Sequence, residues 1–267
     1  MTDVPYTHGH HESVLRSHRW RTAENSAAYL LPHLRRSMAL LDVGCGPGTI
    51  TRDLAARVAP GRVVGIDASE SVIAEAASTS GGSAAPPVTF EVGDVFALRF
   101  DDATFDVVHA HQVLQHLGDP TAALTEMRRV CRPGGLVAVR DADYPTFRFF
   151  PDQPEIARAI EAYGALTRVN GANWDGGRRL LHWAQSVGFA AIAPSASVWC
   201  FATPDERQWW GDLWAERFTH SSLAEQLVGH GIASEGDLAV FARAWHQWAA
   251  SPDGWFAVIH GEILATV

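Results

Sequence analysis

Lysine is missing from this 267-residue chain: all 21 of its basic residues are arginines. That absence excludes every chemistry needing an amine nucleophile, a Schiff base or a phosphate-loop lysine. Cysteine is scarce: Cys45, Cys131 and Cys200 are far apart and odd in number. They supply neither a disulfide framework nor zinc spacing, and no metal site is expected. No run approaches the ~18 apolar residues of a membrane span. The first residues (MTDVPYTH) have no basic start and no apolar stretch, so no signal peptide is visible. The expectation is a cytoplasmic protein without a membrane partner. Positive charge is also short, the net charge being −9. Nucleic-acid binders carry a basic patch, and none is evident, so no nucleic-acid partner is expected.

What is present points to a folded enzyme-sized domain. Hydrophobic residues make up 47% and charged residues 19%, which supports a sizeable core and excludes disorder as the main state. The length suits one large α/β domain, or a core with an appended lid. Short apolar runs ending at turn residues read as buried strands: 38–44, 62–67, 88–93, 105–110 and 136–140. Helical spacing separates them at 49–58, 69–78 and 121–131. The last of these stops before Pro133-Gly134-Gly135. Alternation of this kind implies βαβ units and a parallel sheet. Residues 22–36 read as a helix that Pro32 kinks or ends early. Beyond residue 144 the rhythm changes, with helices at 155–169 and 178–187 and a sixth strand at 197–201. A helical stretch over 204–250 holds five of the ten tryptophans, and 255–267 reads as a last strand.

The sharpest local signal is Leu41-Asp42-Val43-Gly44-Cys45-Gly46-Pro47-Gly48-Thr49, set between a strand and a helix. Glycine permits the tight turn and lets a ligand approach the main chain, and the helix that follows offers unpaired N–H groups. The G-x-G-x-G spacing differs from the G-x-G-x-x-G of dinucleotide enzymes. Asp67 ends the second strand, where a carboxylate can accept both hydroxyls of a ribose. Asp94 ends the third, where it can accept from an adenine amino group while the Val95 N–H reads a ring nitrogen. The fourth strand runs into His109-Ala110-His111-Gln112. All these features fall at the carboxyl ends of strands, where such sheets bind ligands.

With these motifs the chain resembles the class I S-adenosylmethionine-dependent methyltransferases of the small-molecule kind. The runs LDVGCGPGT, GIDAS, GD, FDVVHAHQVLQHLGDP and EMRRVCRPGG carry the resemblance, strongly over 37–140. It implies a Rossmann-like, seven-stranded, mostly parallel sheet with an antiparallel last strand, and S-adenosylmethionine as cofactor. It also implies that Gly44, Cys45 and Gly46 line the methionine part, and Gly48, Thr49 and Ala68 are likewise expected to bind the cofactor. Asp67 would hold the ribose, Asp94 and Val95 the adenine, and His111 would sit below the sulfonium. Simple N-caps remain the bland reading of Asp67 and Asp94. Asp42 is expected to organise the loop from below.

The expected organisation is an N-terminal cap segment (1–36), a cofactor-binding core (37–144), a lid insertion (145–177), more core (178–203), a helical lid (204–250) and the final strand (251–267). Both insertions leave the carboxyl side of the sheet, so they are expected to cover the donor. Their aromatic load suggests an apolar or aromatic small-molecule substrate. Substrate candidates are Tyr6, His11, Tyr144, Trp174 and Arg178. Candidate bases are His111 first and Asp143 second, although some relatives need no base. Alternatives are a nicotinamide oxidoreductase, a protein that binds the donor without transferring methyl, and a homodimer built on the aromatic insertion.

Overall fold

The structure, a computed structural model, describes residues 12–78 and 86–267. Eight strands form one sheet: β1 (Leu40–Val43), β2 (Val63–Asp67), β3 (Val88–Val92), β4 (Phe105–His111), β5 (Cys131–Ala142), β6 (Arg148–Phe150), β7 (Ala191–Phe201) and β8 (Trp255–Thr266). The order is β3-β2-β1-β4-β5-β8, with β1 to β5 parallel and β8 antiparallel to β5. β8 is lined on one edge by β5 and then β6, while β7 pairs along its other edge from Thr266 to Phe256. β1 and β4 are buried along their whole length, as central parallel strands covered on both faces must be.

Ten helices accompany the sheet among the described residues: α1 (Glu12–Arg19), α2 (Ala23–Ser26), α3 (Thr49–Val58), α4 (Glu70–Ser78), α5 (Pro120–Val130), α6 (Pro154–Val169), α7 (Gly176–Val187), α8 (Pro204–His220), α9 (Ser222–Gly229) and α10 (Glu235–Ala250). The boundaries follow local chemistry. Asp119 accepts from Ala122 N at 2.9 Å and starts α5, with Pro120 at its first position. Thr203–Glu206 and Ser234–Asp237 close reciprocal caps at the starts of α8 and α10.

The structure corrects three sequence expectations here. The 22–36 helix reduces to one capped turn, α2, and a 3-10 turn at Leu31–His33, because Thr22 and Asn25 cap each other early and Pro32 follows. The sheet has eight strands rather than seven, since β6 adds a short antiparallel rung to β8. β5 and β7 are also longer than 136–140 and 197–201, because β8 pairs far along both.

The core divides by layer. Leu41, Val43, Val64, Val108 and Val139 pack on α5 and α7 on one face of the sheet, and Leu40, Val63 and Ala138 pack on α2 and α3 on the other. Helices α6, α8, α9 and α10 form a third cluster, built around Tyr163, Trp210, Trp214, Trp245, Trp248 and Phe256. Trp214 and Trp245 stack at 5.5 Å with an interplanar angle of 12°. This aromatic layer stands beside the carboxyl end of the parallel strands.

Candidate active site

The chain leaves β1 through three left-handed glycines, Gly44 (φ 66°), Gly46 (φ 55°) and Gly48 (φ 80°). A Cβ at Gly44 would strike the Val113 side chain, and one at Gly48 would strike the Phe90 ring. At Gly46 it would meet only His18 Nδ1 at 3.6 Å, so this glycine is the open wall of a cradle. The loop is tied down by Cys45 N donating to Ile66 O (2.9 Å) and Gly46 N donating to Asp67 Oδ2 (3.2 Å). Asp42, buried below, accepts from Thr51 Oγ1 at 2.5 Å and from His109 Nδ1 at 2.7 Å. It thereby ties the end of β1 to α3, which follows the loop, and to β4. Burial raises the Cys45 thiol, which makes it a poor nucleophile.

Two acids stand around the cradle. Asp67 accepts from Ser69 N (3.0 Å) as well as from Gly46 N, using one lone pair of each carboxylate oxygen. A carboxylate has about four acceptor positions, so both oxygens keep capacity for a pair of ribose hydroxyls. Asp94 accepts from Phe96 N at 2.9 Å with Oδ1, beside buried Val95. The open glycine wall and this acceptor capacity fit a nucleoside with an amino-acid tail. The cavity they border measures about 1160 Å³ and extends to the aromatic layer. That exceeds the ~300–1,000 Å³ of a single-ligand pocket and leaves room for a second molecule beside the cofactor.

The far half of the cavity rests on a polar belt across one face of the sheet. His111 pairs in register with Arg140, Arg140 with Glu262, and Glu262 with Ser195, so these side chains share a face. Glu262 accepts from Arg140 Nε (3.2 Å), Ser195 Oγ (2.7 Å) and Ser197 Oγ (2.5 Å). His111 lines the cavity, and neither of its ring nitrogens has a hydrogen-bond partner. Its ring lies 5.6 Å from Trp199 and 6.3 Å from His260. Burial, and then the charges of Arg140 and Arg21, hold its pKa well below the usual histidine value, so the ring is neutral. Gln112, in a left-handed conformation (φ 54°), accepts from Arg21 Nη2 and donates to His260 Nε2, each at 2.9 Å. That contact places the His260 proton on Nδ1, facing Val258 O at 3.2 Å.

The cavity brings together Gly44, Cys45, Gly46, Thr49, Asp67, Ala68, Asp94, Val95, His111 and Tyr144. Gly48 shapes the turn rather than the wall. Three further candidates do not reach the cavity. Both Asp143 oxygens are gripped by Arg178, at 2.6 and 2.7 Å, which corrects the expectation of Asp143 as a second base and of Arg178 as a substrate contact. Trp174 packs on Gly164 with Arg168 Cζ 5.1 Å over its ring, so it belongs to the helical layer. Tyr6 and His11 lie outside the described residues. Among the cavity residues not singled out from sequence are Arg21, Gln112, Trp199 and Arg217. No local pattern marks Trp199 or Arg217: β7 is mostly exposed, and α8 carries a second arginine and three tryptophans. No described helix is long and apolar enough to cross a membrane.

Comparison with known proteins agrees with this geometry. Residues 34–188 match the model of the methyltransferase domain family. An uncharacterised methyltransferase of Schizosaccharomyces pombe is 34% identical over 97% of this chain and 95% of its own length. Among solved structures, the YcgJ protein of Bacillus subtilis shares the fold at a TM-score of 0.60 and 17% identity, covering 91% of this chain and 98% of that one. The Haemonchus contortus phosphoethanolamine N-methyltransferase 2, solved with phosphomonomethylethanolamine and S-adenosylhomocysteine, gives 0.53 at 19% identity, over 87% of this chain and 49% of that one. By family, fold and glycine-loop geometry, the chain belongs to the class I S-adenosylmethionine-dependent methyltransferases.

Proposed function

We propose that the protein methylates a small molecule with an aromatic or apolar body, seated between the cofactor cradle and the tryptophan layer. The observation that carries this reading is the extension of the cavity beyond the cradle into a wall of Trp20, Trp199, Trp209, Trp210 and Trp214. When bound, S-adenosylmethionine supplies a methyl group already activated by its sulfonium. The glycine loop, Asp67 and Asp94 hold the donor. The aromatic wall orients the acceptor and keeps water out, which suffices for much of the rate of an in-line transfer. Neutral His111 lines the cavity with both ring nitrogens buried and unpartnered, and its unprotonated nitrogen keeps the capacity to accept a hydrogen bond from the acceptor. The enclosing aromatic layer favours this reading over a macromolecular substrate.

The test is incubation with methyl-labelled donor and a panel of small aromatic and apolar hydroxy, amino and carboxy compounds. Label should pass to one organic-extractable class. Label appearing only in added protein or RNA would overturn the reading.

A further inference from the structure

Residues 16–21, the end of α1 and the turn after it, join the glycine cradle to the helical layer along one wall of the cavity. On the cradle side, His18 O accepts from Thr49 Oγ1 (3.2 Å) where α3 leaves the glycine loop. His18 Nδ1 is the group that faces Gly46, and Arg19 pairs with Glu75 of α4 at 2.8 Å. On the other side, Ser17 Oγ accepts from Arg217 Nη2 (3.1 Å), and Arg16 pairs with Glu216 (3.0 Å), both on α8. Trp20 meets Trp199 and Trp209, each at 5.2 Å, and Arg21 Nη2 donates to Gln112 Oε1. Ser17, His18, Trp20 and Arg21 line the cavity, whereas Arg19 between them is exposed and the Arg16 side chain is 36% exposed. The segment is therefore a single layer of chain between cavity and solvent.

We infer that residues 16–21 form a gate for cofactor exchange, latched on its outer side by the Arg16–Glu216 ion pair. The inference rests on the cofactor site and holds whatever the acceptor is. Three observations support it. The described side chains of α1, Arg16 to Arg19, are all polar, and the ties named above at these four residues are hydrogen bonds and partly exposed ion pairs. Such ties are individually weak, so a segment held by them opens well below global unfolding. His18 stands against the open glycine wall, so a nucleoside leaving the cradle along that wall meets this segment. The same segment carries Trp20 and Arg21 into the far half of the cavity, so one motion opens both halves and one closure shuts water out of both. The latch itself touches neither the glycine loop nor Asp67 nor Asp94. It joins two protein elements, so it resists opening equally for a ligand entering and for one leaving.

The experiment follows S-adenosylhomocysteine binding to the full chain by stopped-flow tryptophan fluorescence. The slope and intercept of the observed rate against ligand concentration give the association and dissociation rate constants. Glu216→Gln, and separately Arg16→Gln, should raise both constants about two- to five-fold, the worth of one partly exposed pair, and leave their ratio nearly unchanged. The double variant Arg16→Glu with Glu216→Arg reverses the pair and should return both constants toward the parent values. Arg57→Gln breaks the exposed Arg57–Glu24 pair (2.7 Å), outside the cavity lining, and should change neither constant. Unchanged constants in both single variants would overturn the inference. So would a rise in dissociation alone, no recovery in the reversed pair, or an equal rise in Arg57→Gln. A folded parent that does not bind S-adenosylhomocysteine would overturn the cofactor site and the gate with it, a failure distinguishable from the others. If one single variant does not fold, the other decides the outcome.

Discussion

Asp42 is the residue on which the cradle stands. Its two oxygens hold Thr51 of α3 and His109 of β4 under the glycine loop, with all three side chains buried. Replacing it with alanine strands a buried hydroxyl and a buried ring N–H, at about 1–3 kcal/mol for each group left unsatisfied. Asp42→Ala is therefore expected to lower the thermal midpoint by several degrees, measured by calorimetric or fluorescence melting. An unchanged midpoint would contradict the role given to Asp42. At this scale the placement of the proposed donor end was readable from sequence, because Gly44, Gly46, Asp67 and Asp94 follow strand ends and border one cavity. The acceptor end was not. Arg21, Trp199 and Arg217 come from the turn after α1, from β7 and from α8, and only tertiary packing brings them to one wall. Asp143 misled because a strand-end acid looks alike whether it faces a ligand or an arginine one helix away.

The elements were legible where sequence marks both of their ends. α3 spans Thr49–Val58 as its spacing predicts, since the glycines fix its start and Pro60 follows its end. β6 could not be read: three residues between prolines carry no period, and it exists because β8 offers it an edge. The β1–α3 turn supplies the test at this scale. Gly44→Ala combines a left-handed φ with a Cβ driven into Val113. The backbone strain alone costs about 1–2 kcal/mol. Loss of stability with a still larger loss of cofactor affinity is expected, read by melting with and without S-adenosylhomocysteine. A variant that binds the product as tightly as the parent would show that the turn is not the cradle.

Across the whole molecule, buried ionisable groups give stability a definite pH dependence. Burial, with Arg140 and Arg21, depresses His111 and His260 well below 6.5, and His116 falls to about 3. The unfolded chain takes these protons near 6.5 while the folded chain refuses them. The stability present above that value is therefore lost as pH falls from 6.5 toward the folded values. Asp141 runs the other way. Burial raises it from 3.8 to about 7, so its contribution is full below 3.8 and is lost as pH rises through 7. Three histidines outweigh one carboxyl, so the melting midpoint is expected to fall from pH 7 to about 4. Asp141→Asn removes the opposing group and should steepen the fall. A midpoint that rises on acidification would refute the assignment of these groups as buried and neutral.

The central claim is that a bare glycine turn and the carboxylate of Asp67 hold the nucleoside of the methyl donor. Titration calorimetry with S-adenosylhomocysteine tests it most directly. The parent protein should bind one equivalent, and Asp67→Ala should weaken binding by about ten-fold or more, the loss of hydrogen bonds to a charged acceptor. No heat from the folded parent protein, or equal affinity in the variant, would contradict the account.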